Sequence, residues 1–206
     1  MRACNLVIMD AGPLIKLALA DRLDLLLCFH RHVFIPDEVA FEAVEKHAWE
    51  NRTALSPDKL RLKAWIAQRT VEGRVSCPQT LIGEIAKSKR ESGEYAPERK
   101  NHRRNTGELA AHDFFNNRDQ WGHRGDPALL LMDDRPGLNS VKLHNLDVHL
   151  LSTYAMLVAL EREHLVDSAA EVWQAIESNM STAQMIQVDE SVRGDTEYRS
   201  LLAKGG

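Results

Sequence analysis

Two apolar runs in this chain each end on acid. "NLVIM" (Asn5–Met9) leads into Asp10, and "ALLLM" (Ala128–Met132) leads into Asp133 and Asp134. Runs of this length, closed by turn residues such as Gly12-Pro13 and Pro136-Gly137, read as strands buried on both faces, the condition of a parallel sheet. "HVFIP" (His32–Pro36), "GRVSC" (Gly73–Cys77) and "DVHLL" (Asp147–Leu151) are shorter runs of the same kind. Helical patterns fill the intervals, so the sequence predicts an α/β fold with a mostly parallel central sheet. In such sheets ligands gather beyond the carboxyl ends of the strands, near the point where strand order reverses. The three aspartates fall at that edge.

The helical segments carry their own signals. Gly12–Phe29 has Pro13 near its start and apolar residues at helical spacing, and Asp21-Arg22 divides it into two short helices. Asp37–Glu50 reads as one helix with Val39, Ala40, Ala43 and Val44 on a single face. Ser56–Thr70 starts from a Ser cap with Pro57 in the first position, and Ser152–His164 from a Ser-Thr cap. Further helices are expected over Thr106–Asn117, Pro136–Asn145 and Ser168–Ser178, with a last one around Tyr198–Ala203. Lys87–Arg104 breaks the apolar rhythm with seven Lys or Arg against three Glu. It reads either as a solvated loop or as a basic insertion that tracks a phosphate backbone, with only Tyr95 for base stacking.

Bulk properties remove several classes. No apolar run spans a bilayer, and the N-terminus lacks the ordered regions of a secretion signal. Cys4, Cys28 and Cys77 are scattered, which suits reduced thiols in a cytoplasmic protein. The net charge of −4 leaves any polyanion to a local basic patch. Nine histidines show no zinc-ligand spacing, and no dinucleotide or P-loop motif is present. The four tryptophans suit a core or an interface better than a cofactor.

Carboxylates gathered at one edge cannot all stay ionised unless a cation neutralises them. Hard oxygen donors select Mg²⁺ or Mn²⁺, which can activate water and steady a phosphodiester transition state. Asp10 and Asp134 are the leading ligand candidates, with Asp133 as a third. Glu42 and Glu108, delivered by helices, complete the set. Each has a plainer reading when taken singly: an Asp after a strand serves as a helix N-cap, Glu42 as a solvated residue, and Glu108 as a dipole partner in its first turn. Lys16 and Arg135 are placed either to meet a scissile phosphate or to pair with the local acids, and Arg104 closes the basic stretch.

Four stretches resemble one family in the same order. "VIMDAGPLIKLALADRLDLL" resembles the opening of PIN-domain proteins, especially the branch that starts with an Asp-Ala-Ser-Pro-Leu-like motif. "VFIPDEVAFEAV" resembles that branch's second strand and helix, giving Glu42. "TGELAAHDFF" is similar to its Gly-Glu-x-x-Ala helix, giving Glu108, and "ALLLMDDRPG" to its late Thr-Asp-Asp-Arg strand, giving Asp133 and Asp134. "NLDVHLLSTYAMLVAL" stands where the family has its last strand and helix. The resemblance covers most of Leu6–Leu165 and implies a three-layer α/β/α domain over 1–165, with the basic insertion at 87–104 and a helical C-terminal extension over 166–206. It further implies a metal-dependent endoribonuclease using Mg²⁺ or Mn²⁺, with RNA as substrate, often a dimeric toxin silenced by an antitoxin protein.

Three positions depart from the family pattern: Gly12 replaces a Ser or Thr, Ala110 a second acid, and Met132 a Thr. Losing such supports commonly costs ~10–100-fold in metal affinity or activity. Asp113, one turn beyond Ala110, would either substitute for the missing acid or stand as an exposed one. The departures keep a rival open, in which the fold persists as a binding scaffold with its chemistry lost. A phosphoaspartyl receiver or phosphohydrolase fits less well, because a single Asp10 stands at the first strand, followed by Ala11-Gly12.

Overall fold

The computed structural model describes residues 5–29, 32–95, 106–117, 128–133 and 148–180. Five strands form one sheet, all parallel: β1 (Asn5–Ile8), β2 (Val33–Phe34), β3 (Val75–Ser76), β4 (Ala128–Leu131) and β5 (Val148–Leu151). Their spatial order is β3-β2-β1-β4-β5. The chain therefore steps outward from β1 to β3, then crosses back to lay β4 on the other side of β1. The strand order reverses between β1 and β4, so the two longest apolar runs flank the switch point.

Burial explains the central position of β1. Asn5 through Ile8 are all buried, as are Leu130 and Leu131 on β4. A strand with no solvent face must be covered by helices on both sides. Those helices are α1 (Gly12–Leu19), a 3₁₀ helix (Leu23–Phe29), α2 (Asp37–Val44), α3 (Lys46–Asn51), α4 (Pro57–Val71), α5 (Leu81–Glu91), α6 (Thr106–Asn116), α7 (Thr153–Arg162) and α8 (Ala169–Ser178). Together they give the expected α/β/α architecture. α2 packs on α6, α6 on α5, α1 on α4 and α8, and α7 on α8. No helix among the described residues is long and apolar enough to cross a membrane.

Local chemistry sets the ends of the elements. Asp21 adopts φ 54°, and the Arg22 N–H returns to the Leu17 carbonyl at 2.8 Å. That is a Schellman closure with Asp in the left-handed position, and it makes the predicted break between α1 and the 3₁₀ helix. Arg52 (φ 53°) and His164 (φ 58°) close α3 and α7 the same way. Ser152 and Ser168 cap α7 and α8 by accepting the N–H groups of Ala155 and Glu171. Ser56 and Pro57 start α4 as expected, although the Ser56 side chain makes no cap bond.

Two readings of the sequence need correction. The single helix over Asp37–Glu50 is two helices parted at Glu45, where Lys59 Nζ caps the Ala43 carbonyl at 2.5 Å. A helix not foreseen, α5, occupies Leu81–Glu91 and takes in the first part of the basic stretch. α8, within the expected extension, sends Ala169, Trp173 and Ile176 into the same core as Leu6, Leu17 and Leu157. The helices expected over Pro136–Asn145 and Tyr198–Ala203 lie outside the described residues, as do Asp134, Arg135 and Arg104.

Candidate active site at the β1–β4 switch

Register fixes which acids meet. Ile8 lies opposite Leu131, so Asp10 and Asp133, each two residues further on, arrive level with one another. The ladder continues past the assigned strands, with Met9 N–H on the Leu131 carbonyl at 2.9 Å and Met132 N–H on the Leu151 carbonyl at 2.9 Å. Asp10 is then held by the backbone. One carboxylate oxygen accepts the Gly12 N–H, and the other accepts the Asp133 N–H at 2.7 Å. These charge-assisted bonds help to keep the carboxylate at the switch point.

Asp133 is gripped more completely. Its Oδ1 accepts the Thr153 N–H at 2.7 Å, and its Oδ2 accepts the Thr153 hydroxyl at 2.7 Å and Lys16 Nζ at 2.8 Å. Both charged side chains of that ion pair are only 7% exposed. The Lys16 ammonium also lies 5.6 Å from the centroid of the Trp173 ring. Of the two sequence readings for Lys16, the geometry displays the one in which it pairs with an acid. The sequence marks Thr153 only as part of a cap. Its second use, orienting Asp133, has no signal beyond its place after the last strand.

Gly12 is part of this arrangement. A Cβ there would lie 2.8 Å from Asp10 Oδ1 and 3.4 Å from Asp133 Oδ2. The hydroxyl residue usual in the family would collide with Asp10 as it sits here. Gly12→Ala is expected to cost about 1–3 kcal/mol through this overpacking, a fall in Tm of about 2–12 °C in a thermal melt. A melt unchanged from wild type would mean that Asp10 shifts freely.

Glu42 is organised by a different contact. Glu42 Oε1 accepts Lys46 Nζ at 2.9 Å and the Thr106 hydroxyl at 3.3 Å, which puts it at the start of α6. Gly107 permits this approach, since a Cβ there would meet Glu42 Oε2 at 2.6 Å. Glu108, half-buried, follows on the next position. Asp113 accepts the Leu81 N–H at 2.8 Å and so caps α5 across the α5–α6 seam. Burial lowers the His112 pKa, which favours the neutral ring. Among the described basic residues of the 87–104 stretch, Lys87, Lys89 and Arg90 each have a carboxylate partner. A cleft of about 500 Å³ opens between α2 and α5, and neither Asp10 nor Asp133 lines it.

The donor set suits a hard cation only in part. Asp10 offers carboxylate oxygen at the switch point, whereas the Asp133 charge is already matched by Lys16. Among the described residues, no three His, Cys, Asp or Glu side chains form a group able to hold a metal ion. A metal there would need Asp10 together with acids from elsewhere, of which Glu108 and the adjacent Asp134 are the sequence's candidates.

Residues 6–101 match the family model described as DUF3368: PIN domain. Over that stretch, just under half of its length, the chain is similar to a PIN domain. The matched stretch holds β1 through β3, Asp10 and Glu42, while β4 and the Asp pair follow it. No curated protein and no solved structure gave a match. PIN domains are generally nucleases, hydrolases of phosphodiester bonds that typically use divalent metals.

Proposed function

We propose that this PIN protein is a divalent-metal-dependent endoribonuclease centred on Asp10. The observation that carries the reading is the Asp10 carboxylate, fixed by two backbone N–H groups where the strand order reverses. Asp10, Asp134 and Glu108 are the residues that would hold Mg²⁺ or Mn²⁺, with Glu42, which meets the start of α6, as a further acid for water or metal. When bound, the ion supplies an activated water and neutralises charge on the scissile phosphate. Asp133 orients Asp10 through its own N–H, and Thr153 and Lys16 hold Asp133 in turn. Arg135 and Arg104 are the cations assigned to the RNA backbone. Under this reading the protein works in the cytoplasm as a homodimer, and a toxin role would give it a small antitoxin protein as partner.

Wild-type protein is expected to cut single-stranded RNA with millimolar Mn²⁺ or Mg²⁺ and to stop when EDTA is in excess. A gel of labelled RNA checks this. The Lys16–Asp133 pair and Ala110 favour a second reading, a PIN scaffold without chemistry. Intact RNA at every metal concentration, with no heat of Mn²⁺ binding by calorimetry, would select that scaffold.

A further inference from the structure

We propose that Lys16 is a resident counter-ion, an ammonium that serves the Asp133 position in place of a metal. The fold is then complete without any divalent cation, and such an ion is confined to the Asp10 side of the notch. This rests on the reading of Asp10 as a metal ligand, but its tests measure stability and heat rather than cleavage.

The argument begins with the capacity of one carboxylate. Ionised Asp133 has about four acceptor positions, and Thr153 N–H, Thr153 Oγ1 and Lys16 Nζ take three. A hard cation taking the remaining position would share the carboxylate with an ammonium already bound to it, and the two like charges repel. Lys16 has little room to leave, being 6% exposed and lying against the Trp173 ring. Four elements meet around this ion pair: Lys16 from α1, Asp133 beyond β4, Thr153 from α7 on the carboxylate and Trp173 from α8 beside the ammonium. Two carboxylates at neighbouring strand ends would repel if bare. With Lys16 paired to Asp133, the ammonium cancels that carboxylate's charge, so Asp133 needs no divalent ion to be tolerated.

Melting curves of the full chain decide this. Wild-type Tm is expected to be the same in EDTA as in a metal-free buffer, and to gain little from millimolar Mn²⁺. Lys16→Met in EDTA should melt about 6–20 °C lower, because one member of a buried pair is left alone. Saturating Mn²⁺ should then return about 5–10 °C to that variant, the ion replacing the lost ammonium. The double variant Lys16→Met with Asp133→Asn removes both charges. It should melt well above the single variant in EDTA and lose the Mn²⁺ gain. Calorimetry should give a larger Mn²⁺ heat for Lys16→Met than for wild type. Wild type losing more than about 5 °C in EDTA would overturn the proposal, as would a Lys16→Met protein with no greater response to Mn²⁺ than wild type. Should Lys16→Met not fold in EDTA, refolding with and without Mn²⁺ reads the same point: recovery only with the metal supports it, and failure in both overturns it.

Discussion

Asp10→Asn is expected to lower metal-dependent RNA cleavage by on the order of 10³-fold, because a ligand that removes several kcal/mol from the barrier is lost. The substitution keeps the shape but exchanges one acceptor oxygen for a donor. Asp10 uses both oxygens as acceptors, for Gly12 N–H and Asp133 N–H. The new amide must therefore face one of those N–H groups, which costs about 1–3 kcal/mol. The variant should melt about 2–12 °C below wild type and still be folded at 25 °C. Cleavage measured at that temperature, beside a circular-dichroism melt, separates lost chemistry from lost structure. Equal cleavage by the two proteins would remove Asp10 from the site.

An equally large effect on stability is expected away from the site, at Arg90→Ala. Arg90 crosses from α5 to α2 and grips Glu38 with both terminal nitrogens, Nη1 to Oε2 at 2.8 Å. Its guanidinium lies 3.8 Å from the centroid of the Phe41 ring. The Glu38 side chain is 2% exposed, so removing Arg90 strands a charge where water cannot reach it. Such a break costs about 3–5 kcal/mol, or about 6–20 °C in Tm. Arg90→Met combined with Glu38→Leu should recover most of the loss, since apolar replacement of a buried pair is often neutral. Arg90→Lys should fall between, keeping the charge but losing the fork and the stacking. A double variant as unstable as Arg90→Ala would show that packing at α5, not charge, sets the cost.

This pair also shows where the sequence was hard to read. In α5 the inward positions are Gly83, Ala86 and Arg90, while Leu81 and Ile85 are exposed. Two large apolar residues face outward, a third, Ile82, is only half-buried, and an arginine faces in, so the apolar stripe is weak and the stretch from Lys87 on looks like a charged loop. β1 and β4 suffered no such ambiguity, because burial on both faces leaves a nearly unbroken apolar run. Asp10 was legible for the same reason: an acid stands out at the end of such a run. The contact between Asp133 and Asp10 was not legible, because it depends on register across 123 residues. Only the pairing of Ile8 with Leu131 brings Asp133 level with Asp10. The Lys16–Asp133–Thr153 arrangement hangs on that same register.

The crossover from β3 back to β4 has a consequence for how the molecule is made. β1, the innermost strand, gains its second neighbour only when residues 128–131 arrive. Until then a nascent chain carries an apolar ribbon with one open flank, the kind of surface that recruits stray strands. Closing it spans most of the polypeptide, which slows the final step of assembly. A fragment cut at residue 101, where the family match ends, would keep that flank open permanently. The aspartate most central to the site would then sit at the tip of a strand with nothing beside it to receive.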